Sequence, residues 1–161
     1  MIHTRIRTPF AVAALALALI ALAVIALAGT LARAAVLAHP ARGTTVRLRS
    51  TSLGKILVNG SGQTVYLFTH DKGKHDSCVH ISGCTATWPP LTTSGAPSAG
   101  AGVKRSLLGT ISLAHGHKQV TYAGHPLYIY AGESPGDTGY VGVSAFGGTW
   151  EAVTAAGKGR S

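Results

Sequence analysis

Gly62-Gln63-Thr64-Val65-Tyr66-Leu67-Phe68-Thr69-His70-Asp71, followed seventeen residues later by Trp88, decides the reading of this 161-residue chain because the chain contains the pattern twice. A shift of 62 residues sets Gly62 on Gly124, Tyr66 on Tyr128, Phe68 on Tyr130, Asp71 on Glu133 and Trp88 on Trp150, with no gap. Eight of the 38 positions in 54–91 are identical to their counterparts in 116–153, where composition alone would give roughly two or three. The chain is therefore read as two tandem copies of one unit.

Within the quoted stretch Tyr66 and Phe68 point to one face and Val65 and Leu67 to the other. Both faces are apolar, which places this strand inside a sheet. Asn59-Gly60-Ser61-Gly62 ahead of it tolerates positive φ and makes a turn from a short strand over 56–58. Further out, Val46 and Leu48 alternate with Arg47 and Arg49, as on a strand with one wet face. The second copy repeats the scheme with strands over 107–113, 118–122 and 127–130, closed by a hairpin over 141–153. Nothing after the N-terminal segment reads as a helix of useful length. The sequence predicts a compact all-β, antiparallel domain over 45–155, pseudo-symmetric and built of about seven to nine short strands. Repeat one covers 46–91, a Thr/Ser/Gly/Ala/Pro linker 92–106, and repeat two 107–153.

The N-terminal segment is of another kind. Arg5 and Arg7 precede an unbroken apolar run over 10–28, longer than the ~7–15 residues of a cleaved signal and close to the ~20 that span a bilayer. Residues 1–34 are predicted to be a hydrophobic helix serving as signal peptide or membrane anchor, and 35–44 a tether. Small residues over 32–34 and 36–38 favour cleavage. The chain is expected outside the cytoplasm, secreted or N-terminally anchored, touching the membrane through that helix if it is uncut.

Beyond residue 34, eleven Lys and Arg stand against five acids, a net charge of +6. The positive residues are scattered and form no basic helix with interleaved aromatics, so no nucleic-acid partner is expected. Solubility of a domain poor in acids is favoured over attraction to anionic envelope polymers or lipid headgroups as the reason for them. The two cysteines, Cys78 and Cys84, lie six apart in an exported chain, and a disulfide is expected.

Tyr66, Phe68, Trp88, Tyr128, Tyr130 and Trp150 are the large side chains available to a small core. Each copy's aromatic strand is predicted to pack with its own tryptophan, whose indole N–H finds a carbonyl. The recurring acids Asp71 and Glu133 admit two readings. Paired carboxylates can perform glycosidic acid–base chemistry; alternatively, each caps the loop it begins. Recurrence favours the cap, since a catalytic pair needs two different environments and the copies offer similar ones. His70, Asp71, His75, Asp76, Cys78, His80 and Cys84 fall within fifteen residues. With the cysteines oxidised, His70, His75 and His80, with Asp71 and Asp76 beside them, become the candidate donors for copper or zinc; otherwise the stretch is a solvated loop pinned by its disulfide. A redox role for the cysteines is less favoured, because reactive pairs usually have two residues between them.

Taken together, Tyr-Leu-Phe-Thr-His-Asp (66–71), Ser-Cys through Gly-Cys-Thr-Ala-Thr-Trp-Pro-Pro-Leu (77–91), Gln-Val-Thr-Tyr-Ala-Gly-His-Pro-Leu-Tyr (119–128), Pro-Gly-Asp (135–137) and Phe-Gly-Gly-Thr-Trp (146–150) resemble a bacterial family of secreted repeats. The family consists of predicted lipoproteins with a Tyr-x-aromatic-x-x-Asp motif and no resolved biochemical function. The resemblance implies an envelope location and a repeat architecture, without an activity. Three departures stand out: a longer loop between the cysteines, Glu133 in place of Asp, and no cysteine for lipid attachment. The expected function is a non-catalytic, cofactor-free module that binds or scaffolds an unidentified envelope component. The alternatives are a copper- or zinc-binding or redox accessory protein using loop 70–84, and a polysaccharide-acting enzyme using Asp71 and Glu133. If the chain has chemistry, it is expected between Asp71 and Trp88, where the copies differ most.

Overall fold

The computed structural model describes residues 43–161; the signal or anchor over 1–34 and most of the tether over 35–44 lie outside the described residues. The first strand, β1 (Thr45–Thr51), forms where the alternation predicts it, with Val46 buried and Arg47 and Arg49 exposed. It runs antiparallel into β2 (Gly54–Asn59), with Leu48 opposite Leu57. Asn59 then builds the turn. Its Oδ1 accepts the N–H groups of Ser61 and Gln63, each at 3.0 Å. Gly62 takes a φ of 93°, and its counterpart Gly124 a φ of 86°, which is why glycine recurs at this repeat position.

The remaining strands are β3 (Tyr66–Phe68), β4 (Thr92–Thr93), β5 (Ser98–Ala99), β6 (Leu108–Ser112), β7 (Lys118–Tyr122), β8 (His125–Pro126), β9 (Val143–Ala145), β10 (Gly148–Val153) and β11 (Gly159–Arg160). They form three small sheets, in the orders β2-β1-β5, β11-β10-β3 with β9 on β10, and β4-β7-β6 with β8 on β7. Among the described residues, helix is confined to the single turn α1 (Cys84–Thr87) and short 3-10 turns. Two expectations are corrected. β5 joins β1 in parallel, so pairing is not wholly antiparallel. The fold also continues past residue 155, because β11 returns to pair with β10 through Ala152 and Val153.

The two copies exchange their last segments. β10, from the second copy, pairs with β3 from the first, setting Trp150 opposite Phe68 and Ala152 opposite Tyr66. At equivalent positions Pro90, from the first copy, bridges Tyr128 of the second. The backbone bonds repeat the exchange: Thr69 N–H to Thr149 O is matched by Ala131 N–H to Thr87 O, both 3.0 Å. At the centre Tyr66 and Tyr128 bond each other reciprocally, N–H to O at 3.0 and 2.9 Å. A pseudo-two-fold axis therefore passes between these equivalent tyrosines, and each copy lacks part of its sheet without the other.

The double-faced strand feeds two cores. Val65 and Leu67 enter an aliphatic one with Val46, Leu57, Val120 and Leu127. Tyr66 and Phe68 enter an aromatic one with Trp88, Tyr128, Trp150 and both cysteines. This division follows from the period-2 alternation of the strand.

Candidate functional site

Each motif tyrosine reaches across the axis to the acid of the other copy. Tyr66 donates its hydroxyl to Glu133 Oε1 at 2.5 Å, and Tyr128 donates to Asp71 Oδ2 at 2.8 Å. Burial first, and then the facing carboxylates, raise both phenols above their ordinary range, so both remain donors.

Asp71 also performs the capping role expected of it, accepting Ser77 N–H at 2.9 Å and Ser77 Oγ–H at 2.5 Å through Oδ1. Glu133 does not cap its loop. The residue equivalent to Ser77 is Gly139, which has no hydroxyl, and its N–H goes to Asp137 Oδ1 at 2.9 Å. The longer Glu133 side chain accepts the Tyr66 hydroxyl through Oε1, and its buried Oε2 has no partner. Burial pushes the Glu133 carboxyl up to about 7, the charge of Asp137 adds to this, and the Tyr66 hydrogen bond opposes it. The two acids that look equivalent in sequence thus sit in different environments.

The aromatic rings form one column. Trp88 and Trp150 stack face to face, centroids 4.2 Å apart and 2° from parallel. Phe68 covers the outer face of Trp150 at 4.0 Å, Tyr130 covers Trp88 at 4.8 Å, and Tyr140 lies on Tyr130 at 3.7 Å. Tyr66 and Tyr128 meet the tryptophans of their own copies edge-on, at 5.0 and 5.2 Å. The expectation of packing within each copy therefore holds for Tyr66 and Tyr128, whereas Phe68 stacks on, and Tyr130 tilts against, the tryptophan of the other copy. The expected indole bond is corrected for Trp150, whose Nε1 is buried without a partner while its ring is fixed between Phe68 and Trp88.

Cys78 and Cys84 form the expected disulfide, fully buried in this aromatic core. The histidines of the same loop are not brought together. The His70 ring stacks on Phe68 at 5.6 Å, with Nδ1 3.1 Å from Gly147 O. His75 and His80 instead meet edge to face, centroids 5.6 Å apart. Among the described residues no group of three or more His, Cys, Asp or Glu is arranged to hold a metal ion.

Asp76, one of the loop residues whose spacing suggests a metal cluster, turns inward instead, and its counterpart is Thr138. It is 4% exposed. Its Oδ1 accepts Val79 N–H at 3.1 Å, its Oδ2 has no partner, and burial raises its carboxyl above the ordinary range. Asp76 and Glu133 are thus buried, and Asp71 is held by Ser77 and Tyr128, which composition cannot show.

A family model described as a secreted repeat of unknown function matches residues 48–92 and 109–154, the two copies in turn. No curated protein and no solved structure matches the chain.

Proposed function

The chain belongs to this family of secreted repeats, an extracytoplasmic module, and from that premise we propose that it is a non-catalytic one that binds an anionic component of the cell envelope. One observation carries the reading. All ten Lys and Arg among residues 43–161 are exposed, whereas Asp76 and Glu133 are buried and Asp71 is held by Ser77 and Tyr128. Asp137 and Glu151 are left to balance them at the surface. The folded surface is therefore more cationic than the sequence alone suggests, and positive charge that reads as a solubility device becomes a means of attraction.

A catalytic use of Asp71 and Glu133 needs two carboxylates open to one substrate. Both instead accept a tyrosine hydroxyl from the opposite copy, which favours the non-catalytic reading. The copper- or zinc-binding alternative keeps one favourable observation, the proximity of His75 and His80.

The test is co-sedimentation of the exported protein with a wall polymer bearing phosphodiester groups, beside an uncharged polysaccharide of similar size. Binding to the charged polymer is expected to fall about tenfold between roughly 0.05 and 0.5 M salt, since exposed charges are screened over that range. Equal binding to the uncharged polymer, or binding insensitive to salt, rejects the reading.

A further inference from the structure

The repeat identifies one side chain that is out of place. Val79 and Val141 occupy the same repeat position. Val141 packs against the aromatic core, but Val79 is 45% exposed. The cause is local. In the first copy the disulfide pulls Cys78 and Cys84 inward, and the 3-10 turn Cys78–His80 carries Val79 outward between them and the surface.

Val79 does not face open solvent alone. It lines a cleft of about 540 Å³ with Ile111, Leu113 and Ala114 of the second copy. It also lines an adjoining cleft of about 400 Å³ that shares Leu113 and Ala114 and continues to Pro90 and His117. The two share Val79, Leu113 and Ala114 as walls and fall in the size range of small-ligand sites. Ile111 and Pro90 extend this apolar lining, which Ser112, Thr85 and Thr92 interrupt. Lys74, His75 and His80 border the first cleft, and its one acid, Asp76, is buried with Oδ1 turned to the backbone of Val79. An apolar lining with donors and a cation at one end suits a chain-like ligand with a negative head.

We propose that this cleft holds a single-chain amphiphile with a carboxylate head, its chain lying over Val79 and Leu113 and its head meeting Lys74 and the His75–His80 pair. The site rests on the first copy's disulfide turn: the second copy has no disulfide, and Val141, at the position of Val79, packs against the aromatic core. It shares Lys74 with the polyanion-binding surface but adds an apolar lining of its own, so either proposal can fail while the other holds.

The test is calorimetric titration of the exported chain with dodecanoate, kept below its aggregation concentration, beside dodecyltrimethylammonium. One saturable site for dodecanoate is expected, with affinity at least about fivefold above that for the cation. Val79→Asp should weaken it by about tenfold or more with an unchanged melting temperature, since the side chain is already exposed. Lys74→Glu should weaken it about fivefold, and Arg105→Glu, at a residue that lines neither cleft, should leave it unchanged. No saturable binding, equal affinity for the two amphiphiles, or indifference to Val79→Asp would overturn the proposal. Equal losses from Lys74→Glu and Arg105→Glu would do so too, by showing general attraction to a basic surface.

Discussion

Trp150→Ala is expected to lower folding stability by about 4 kcal/mol, the middle of the range for truncating a buried aromatic. Trp150 is fully buried. One ring face meets Phe68 at 4.0 Å, the other meets Trp88 at 4.2 Å, and Tyr128 meets it edge-on at 5.2 Å. Two of these partners belong to the other copy, so truncation weakens the join between copies as well as leaving a cavity. Small domains are stable by only about 5–15 kcal/mol, and the variant should be close to unfolding at 37 °C. Trp150→Phe keeps a ring to stack and removes an indole N–H that has no partner, so it should lose roughly half as much or less. Urea unfolding at 25 °C measures both changes, provided the denaturant slope is unchanged. A loss below about 1.5 kcal/mol for the alanine variant would mean that the column is not the centre of the core.

The second large effect is a stability that falls as pH rises. The Glu133 carboxyl stands at about 7 in the folded protein against 4.5 ordinarily, chiefly through burial. Below pH 4.5 both the folded and unfolded chains hold this proton, and its contribution to stability is complete. As pH rises from 4.5 to 7 the unfolded chain releases the proton while the folded chain retains it, so stability declines through that window and levels off above it. The expected loss is about 3 kcal/mol. Asp76, also raised by burial, acts with the same sign. Glu133→Gln retains an acceptor for Tyr66 and cannot ionise, so it should remove most of the slope and add about 2 kcal/mol at pH 8 while changing little at pH 4. Melting curves of both proteins at pH 4, 6 and 8 check this. A parent protein that becomes more stable from pH 5 to 7, or a variant with the same slope, contradicts it.

Much of the architecture is legible in the sequence because it depends on local pattern. The period-2 faces of 65–68, the turn glycines 62 and 124, and the spacing of the cysteines each determine structure with their near neighbours. The exchange between copies is not legible, and the reason lies in the repeat itself. Equivalent residues offer equivalent partners, so Tyr66 could be satisfied by Asp71 or by Glu133 with the same sequence pattern. Topology alone chooses, through the pairing of β3 with β10. The same limit applies to Val79, whose match to Val141 predicts burial; the disulfide turn overrides it. The histidines show a further limit: spacing along a loop does not fix direction, and stacking on Phe68 commits His70 away from His75 and His80. The acids Asp71 and Glu133 look equivalent until the hydroxyl of Ser77 and its absence at Gly139 separate them.

The claim that the recurring tyrosine–acid motif clamps the two copies together, each acid serving the other's tyrosine, is tested most directly by double-mutant cycles on urea stability. Asp71→Asn paired with Tyr128→Phe should be less than additive, with a coupling of about 1–2 kcal/mol, as for a buried hydrogen bond to a charged group. Asp71→Asn paired with Tyr66→Phe should be additive within about 0.5 kcal/mol. Coupling of Asp71 to Tyr66, the tyrosine of its own copy, with none to Tyr128 would contradict the account.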